Sequence, residues 1–170
     1  KNMSEHFTHL HNHDEYSLLD GFGTSNSFAA QAKSLGFKSL AMTNHGNVDG
    51  LLSFQNACKK NEITPIFGCE AYIVKDFTIN EKGEKRSHIT ILVHSEEGWH
   101  NLLQMLTIAN LEGYYYRPRL DIKLLKTFHK GLIIMSGCTS SCLHHDWGME
   151  LFSDLAKINP ENVYLEVMSN

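Results

Sequence analysis

Apolar residues follow two spacings along this chain. In some segments they form short runs or alternate with polar residues, and in others they recur every three or four positions, as on one face of a helix. The first spacing predicts strands over residues 7–13, 39–43, 64–74, 88–93, 131–136 and 163–167. The second predicts helices over residues 25–35, 47–60, 96–111, 121–128 and 149–158, with a polar turn at residues 80–85. Because strands and helices alternate, the pattern indicates an α/β fold with a largely parallel sheet or barrel and helices outside it.

Composition and charge narrow the class of protein. With 170 residues, of which 42% are hydrophobic, the chain is expected to form one domain with a sizeable core. Its net charge of -4 differs from the basic excess of a free-standing nucleic-acid binder. No apolar run approaches the roughly 20 residues of a membrane span, and residues 1–10 lack the apolar centre of a secretory signal. The four unevenly spaced cysteines favour reduced thiols, so a cytoplasmic protein is predicted.

Three histidines alternate along the first predicted strand. Because strand side chains alternate between faces, His9, His11 and His13 are expected to project to the same side. Buried imidazoles need hydrogen-bond partners or a metal ion, since an unsatisfied buried polar group costs about 1 to 3 kcal/mol. Taken alone, the pattern is compatible either with metal ligands or with a hydrogen-bonded or exposed polar face.

Other metal-competent side chains follow or lie within the predicted strands. Asp20 comes seven residues after the histidine strand, His45 follows the next strand, Glu70 lies within a third, and Cys138 ends the GLIIMSGC segment. The carboxyl ends of strands in a parallel α/β barrel converge on one mouth, so these residues are expected to meet. His88 begins its strand, and reaches the same mouth if that strand runs antiparallel or if residues 80–85 belong to an insertion beside the site.

Several motifs along the chain resemble those of one family. They are FTHLHNHDEYSLLDG, AMTNHGN, PIFGCEAYI, HITILV, EEGWHNLL, YYYRPRLD and GLIIMSGC. In this order they resemble the N-terminal polymerase and histidinol phosphatase (PHP) domain of bacterial replicative DNA polymerase III α subunits. The resemblance covers nearly the whole chain and implies a distorted TIM-like (β/α)7 barrel.

The resemblance also implies a set of metal ligands. The positions that match the family's ligands are His11, His13, Asp20, His45, Glu70, His88 and Cys138. Of these, His13, Asp20 and Glu70 are expected to be catalytic. His9 corresponds to a residue beside the ligand pair, and Asn44 stands where the family usually has Asp. Imidazole, thiolate and carboxylate ligands suit zinc, iron or manganese, and the resemblance implies up to three divalent ions.

Two further ligands of the family have no counterpart in these 170 residues. Polymerase PHP domains supply an Asp-x-His pair from a later strand, and the sequence ends at Asn170 before such a pair. Residues 1–170 are therefore expected to be a PHP domain that lacks its last strands. Metal binding is accordingly a firmer expectation than catalysis by this chain.

The resemblance implies a metal-dependent phosphoesterase, with 3′ to 5′ exonuclease or proofreading chemistry on a single-stranded DNA end during replication. The implied partners are DNA, the remainder of the polymerase α subunit and a separate proofreading exonuclease, with no membrane. Two alternatives remain: a non-catalytic structural or exonuclease-docking module, and a phosphomonoesterase similar to histidinol phosphatase.

The YYYRPRLD segment allows two interpretations. Arg117 and Arg119, together with the tyrosines at residues 114–116, could bind a single strand through phosphate pairing and base stacking. Alternatively, the segment is a proline-containing loop that packs its tyrosines against the fold.

Overall fold

Helices alternate with strands along the folded chain, as the spacing of apolar residues predicts. The structure is a computed structural model that describes residues 7–80, 82 and 86–168. It divides into two compact units, Lys1–Cys69 and Glu70–Asn170, which are described in turn. Of the polar turn expected at residues 80–85, only Asn80 and Lys82 lie within the described residues.

The first unit contains two helices and a parallel pair of strands. Its elements are α1 (Ser25–Ser34), β1 (Ser39–Met42), α2 (Leu51–Lys60) and the first part of β2 (Thr64–Val74). β1 pairs with β2 in parallel, from Ser39 opposite Thr64 to Met42 opposite Phe67. The helices bury small and apolar side chains, among them Ala29, Ala32 and Phe54. The α/β class expected for this region is confirmed.

A side-chain cap sets the start of one helix of the first unit, and a turn with a left-handed glycine precedes the other. The Thr24 hydroxyl accepts a hydrogen bond from the Ser27 amide at 3.1 Å, as an N-cap residue does, and α1 begins where predicted. The predicted start of α2 at residue 47 is wrong, because the Asn47 side chain accepts a hydrogen bond from the Asp49 amide in a turn. Gly50 then adopts a left-handed φ of 76°, so the helix starts at Leu51.

The strand predicted over residues 7–13 is not formed. Two carbonyl groups of this segment, those of His9 and Asn12, accept hydrogen bonds from the Ala41 and Thr43 amides. The Asn12 amide instead donates to the Thr43 hydroxyl at 3.0 Å. The Thr43 hydroxyl thus takes the place of a backbone acceptor, and residues 7–13 run beside β1 without forming a regular strand.

The second unit contains a mixed sheet. Its elements are the rest of β2, β3 (Ser87–Val93), α3 (Glu96–Leu111), β4 (Tyr114–Tyr115), β5 (Arg117–Asp121), α4 (Ile122–Phe128), β6 (Leu132–Met135), a 3-10 turn (Cys142–His144), α5 (Asp146–Ile158) and β7 (Val163–Tyr164). The strand order is β4-β5-β2-β3-β6-β7. β2 with β5 and β6 with β7 are parallel, whereas β3 with β6 and β4 with β5 are antiparallel. The expectation of a largely parallel sheet is therefore wrong for this unit.

Helices of the second unit follow their sequence signals closely. α3 has the predicted bounds, and its N-cap Ser95 accepts a hydrogen bond from the Gly98 amide. The Asp121 carboxylate caps α4 in the same way, accepting from the Leu124 amide at 2.8 Å. α5 begins at Asp146, three residues before the predicted start, and β7 is shorter than predicted.

The predictions about the cysteines and about membrane-spanning segments can be compared with the structure. All four cysteines are free thiols, as predicted. Among the described residues, none of the helices combines the length and apolar character needed to cross a membrane.

Candidate functional site

His13, Asp20 and His45 form a group of potential metal ligands in the first unit. One ligand atom from each lies within 4.8 Å of the others. Asp20 Oδ2 is 3.2 Å from His45 Nε2, and the His13 and His45 rings stack with their centroids 4.4 Å apart. Both imidazoles are largely buried, whereas the Asp20 side chain is 54% exposed. Two imidazoles and a carboxylate at such short separations are a typical start of a zinc, iron or manganese site.

The remaining histidines of the first segment have different neighbours. The His11 ring lies 5.3 Å from that of His13, beside the group. The His9 ring packs instead against Phe7 and Phe37, at centroid distances of 4.8 Å and 5.4 Å. The expectation that all three histidines share one face therefore fails together with the predicted strand.

Ser17 positions both stacked histidines. Its hydroxyl donates to Asn44 Oδ1 at 2.9 Å, accepts from the His45 amide at 3.0 Å and lies 2.8 Å from His13 Nδ1. Because the hydroxyl hydrogen is already used, we infer that His13 Nδ1 carries the proton of that third contact. In this tautomer Nε2 has the lone pair that can bind a metal ion. Sequence reasoning did not identify Ser17, whose type and position carry no metal-ligand signal.

The buried carboxylate of Asp14 contacts Asn44, the residue that accepts the Ser17 hydrogen bond. The Asp14 side chain is fully buried and accepts hydrogen bonds from Asn44 Nδ2 at 2.7 Å, the Ser25 hydroxyl at 2.5 Å and the Tyr16 amide at 3.1 Å. In return, the side-chain oxygen of Asn44, Oδ1, accepts a hydrogen bond from the Asp14 backbone amide at 3.0 Å. Asn44 therefore supplies both a donor and an acceptor to one neighbour, which an aspartate at this position could not do when ionised.

A tight loop presents Asp20. The amides of Asp20 and Gly21 both donate to the Ser17 carbonyl, at 3.0 Å and 2.8 Å. A side chain on Gly21 would place its Cβ 1.7 Å from the Asp14 carbonyl oxygen, so this position requires glycine. Leu19 adopts a left-handed φ of 70°, an uncommon conformation for a branched residue, directly before Asp20. The loop thus holds the carboxylate at an exposed tip.

The second unit contains its own group of potential ligands, Glu70, His88 and Cys138. Glu70 is buried, and its Oε1 lies 3.0 Å from His88 Nδ1. Cys138 Sγ is 3.7 Å from the same nitrogen. The group combines a carboxylate, an imidazole and a thiol, which together suit zinc or iron.

The antiparallel pairing of β3 with β6 explains how His88 reaches Cys138. Thr90 lies opposite Met135, so the first residues of β3 adjoin the residues that follow β6. Gly137, with φ of 82°, lies against the His88 carbonyl: an added Cβ would be 3.1 Å from that oxygen. Of the two arrangements considered for His88, the antiparallel strand is confirmed.

The surroundings of His88 change its acidity. Burial by itself lowers the pKa of this imidazole, but hydrogen bonds with Cys138 and Glu70 and the Glu70 charge together raise the pKa to about 9. At neutral pH both ring nitrogens are therefore protonated when no metal is bound. A metal ion must displace one of these protons in order to bind.

The YYYRPRLD segment is a hairpin whose two arginines differ. Tyr114 pairs with Pro118 across the hairpin, and Tyr116 makes the turn with φ of 61°. Arg119 is buried and donates hydrogen bonds to the carbonyl groups of Gly113, Phe77 and Ile79 and to Asn80 Oδ1. Arg119 therefore braces residues 77–80, and its guanidinium donates to these acceptors and not outward as the strand-binding interpretation requires, whereas Arg117 is exposed.

The fold resembles that of a solved structure. A protein from Bifidobacterium adolescentis, assigned as a candidate metal-dependent phosphoesterase, matches with a TM-score of 0.58. The match covers 94% of this chain and 76% of the other at 14% sequence identity, so it is a likeness of fold alone.

The PHP domain family matches residues 9–170, and this chain belongs to that family.

The sequence is also similar to one class of curated proteins. The DNA polymerase III subunit alpha of Helicobacter pylori is 39% identical over 180 aligned positions, which cover 95% of this chain and 15% of the relative. The corresponding subunits of Chlamydia pneumoniae and Deinococcus radiodurans are 39% and 41% identical and cover 93% and 79% of this chain. The chain spans 15% or less of the length of these three relatives.

Proposed function

We propose that this chain is a metal-dependent phosphoesterase domain that acts on the 3′ end of single-stranded DNA. The observation that carries the proposal is the group of His13, Asp20 and His45, which brings three ligand atoms within 4.8 Å of one another. Membership of the PHP family and the likeness of fold to a candidate metal-dependent phosphoesterase support it.

The separations between donor atoms suit metal ions. Ligands at about 2.0 to 2.2 Å from an ion lie about 3 to 4 Å from one another. Asp20 Oδ2 and His45 Nε2 are 3.2 Å apart, and Glu70 Oε1 and His88 Nδ1 are 3.0 Å apart. The 3.7 Å from Cys138 Sγ to His88 Nδ1 is compatible with the longer bond of zinc to sulfur, about 2.3 Å.

We assign the family's seven ligand positions in this chain to metal binding. They are His11, His13, Asp20, His45, Glu70, His88 and Cys138. The ions we expect are zinc, manganese or iron, and up to three of them. When bound, such ions lower the pKa of a coordinated water and stabilise negative charge on phosphoryl oxygens.

The chain's own groups orient this chemistry. Ser17 orients His13 so that its Nε2 is available as a ligand, and Glu70 Oε1 accepts a hydrogen bond from His88 Nδ1 when no metal is bound. We propose His13, Asp20 and Glu70, which supply an imidazole and two carboxylates, as catalytic residues. The exposed Asp20 carboxylate is the member of this trio most open to a substrate.

The biological setting we propose follows from the relatives. Similarity to DNA polymerase III α subunits supports a role in DNA replication in the cytoplasm, with the remainder of such a subunit and a separate proofreading exonuclease as partners. For the complete domain we propose the distorted TIM-like barrel that the family resemblance implies.

Metal analysis combined with a nuclease assay tests the proposal. The purified chain is expected to retain zinc, manganese or iron after dialysis and to shorten a 3′-labelled single strand. His13→Ala is expected to lose most of its metal and its hydrolysis, whereas His94→Ala, which removes an exposed imidazole, serves as the matched control. Metal retained without hydrolysis, also in a chain extended beyond Asn170, would favour the docking-module alternative. Hydrolysis of small phosphomonoesters alone would favour the phosphatase.

A further inference from the structure

A cleft in the second unit adjoins the candidate metal ligand His88. It has a volume of about 770 Å³ and is lined by residues of β2, β3, β5 and the loop after β6. Arg86 and Arg117 line it and are exposed, and His144 also lines it. The described residues that line the cleft include two arginines and no aspartate or glutamate, and the carboxylate of the buried Glu70 is paired with His88.

Tyr72 connects this cleft to the metal ligand. Its ring meets the His88 ring edge-on, with the centroids 5.2 Å apart. Arg117 and Arg86 line the same cleft as Tyr72, and both are near enough to lower the pKa of its phenol. Burial keeps the pKa of this phenol raised although both arginines lower it, so the hydroxyl stays protonated at neutral pH. The two guanidinium groups therefore share a cleft with Tyr72, whose ring contacts the candidate metal ligand His88.

The lining suits an oxyanion with several oxygens. Guanidinium groups bind phosphate through paired N–H donors, and they retain their charge at any physiological pH. His144 is held by a 2.9 Å contact between its Nε2 and the Thr139 carbonyl oxygen, and Ser140 also lines the cleft. These groups line a concave cleft that also contains His88, whereas lysines scattered over a surface would share no such cleft.

We propose that this cleft is a second phosphate subsite, which binds the phosphate that neighbours the scissile one in a DNA strand. The inference rests on the proposed function, because a neighbouring phosphate is present only when the substrate is a polynucleotide. The subsite pairs Arg117 with Arg86. Arg119, which lies two residues after Arg117 in the sequence, is buried and does not take part.

Binding of a labelled strand tests the subsite without requiring turnover. The anisotropy of a fluorescein-labelled oligodeoxythymidylate of about ten nucleotides is measured with the full chain at several salt concentrations. The variants are Arg86→Gln, Arg117→Gln and their combination. The matched control is Lys59→Gln with Lys60→Gln, which removes two exposed positive charges at the end of α2.

Each arginine replacement is expected to weaken binding about tenfold. Each is also expected to make the slope of log K against log salt shallower by about 0.7, the value for one single-strand phosphate contact. The lysine control is expected to keep an affinity and slope close to those of the unmodified chain. Equal affinity and slope in the double arginine variant and the lysine control would overturn the subsite, as would a failure of the unmodified chain to bind the strand.

Kinetics separate the subsite from the proposed function. The double arginine variant is expected to raise KM for the oligonucleotide more than KM for thymidine 5′-(p-nitrophenyl phosphate), which has only the scissile phosphate. An equal rise in both KM values would overturn the subsite while hydrolysis itself stands. No hydrolysis by the unmodified chain, with arginine-dependent binding intact, would support the cleft and overturn only the proposed hydrolysis.

Discussion

The side-chain amide of Asn44 donates a hydrogen bond to the carboxylate of the fully buried Asp14 at 2.7 Å, and the Ser17 hydroxyl links Asn44 to His13. This pairing depends on which of the two positions carries the acid. In this chain the acid lies at position 14 and the amide that faces it at position 44.

Asn44→Asp is expected to destabilise the chain. Two carboxylates would then face each other in a buried environment, and one must take up a proton or lose its partner. We expect the free energy of unfolding to fall by about 2 to 3 kcal/mol, measured by urea denaturation. Asn56→Asp, the same change at an exposed position of α2, is the control. The swap Asp14→Asn with Asn44→Asp should recover part of the loss, and an additive double variant would contradict the pairing.

Ser17→Ala is expected to weaken metal binding while the ligands themselves remain. The hydroxyl contacts His13 Nδ1 and the His45 amide, so its loss frees the His13 ring to rotate. Loss of such an orienting contact typically lowers metal affinity about 10- to 100-fold, measurable by calorimetric titration with zinc below the unfolding temperature. Ser34→Ala, on the exposed end of α1, should bind zinc as the unmodified chain does. Equal affinities in both variants would show that Ser17 does not position the ligands.

Cys138→Ser is expected to change which metal is preferred. A thiolate binds zinc more strongly than an alcohol does, whereas manganese favours oxygen ligands. The zinc affinity should therefore fall by a larger factor than the manganese affinity in competition titrations. Cys142→Ala is the comparison, because burial raises the pKa of that thiol to about 11 and keeps it protonated. A parallel loss of both metals in Cys138→Ser would argue against a thiolate ligand.

Arg119→Lys is expected to destabilise the hairpin and the segment it braces. Lysine cannot reproduce the fork of donors that reaches Gly113, Phe77 and Asn80. The free energy of unfolding should fall by about 2 to 4 kcal/mol, measured by urea denaturation. Arg117→Lys, two residues away and exposed, should cost less than about 0.5 kcal/mol. Similar costs for the two variants would contradict the assignment of a structural role to Arg119.

Local sequence determined most of the regular elements. The apolar spacing and the capping residues Ser95 and Asp121 predict α3 and α4, because these signals act within one turn of helix. The largely apolar, β-rich run at Thr64–Val74 predicts β2 with its observed bounds. The metal-competent residues were also recognisable from sequence, since residue type and family motif identify them without geometry.

Tertiary structure decided what local patterns could not. The alternation at residues 7–13 resembles a strand, but a strand requires a neighbour that completes the ladder, and the Thr43 side chain takes one of those bonds. Arg117 and Arg119 look alike in sequence, and only the hairpin's position buries one of them. The direction of β3, which brings His88 to Cys138, likewise depends on pairing with a strand about forty residues away along the chain. Such contacts depend on partners distant in sequence, and so no local window contains them.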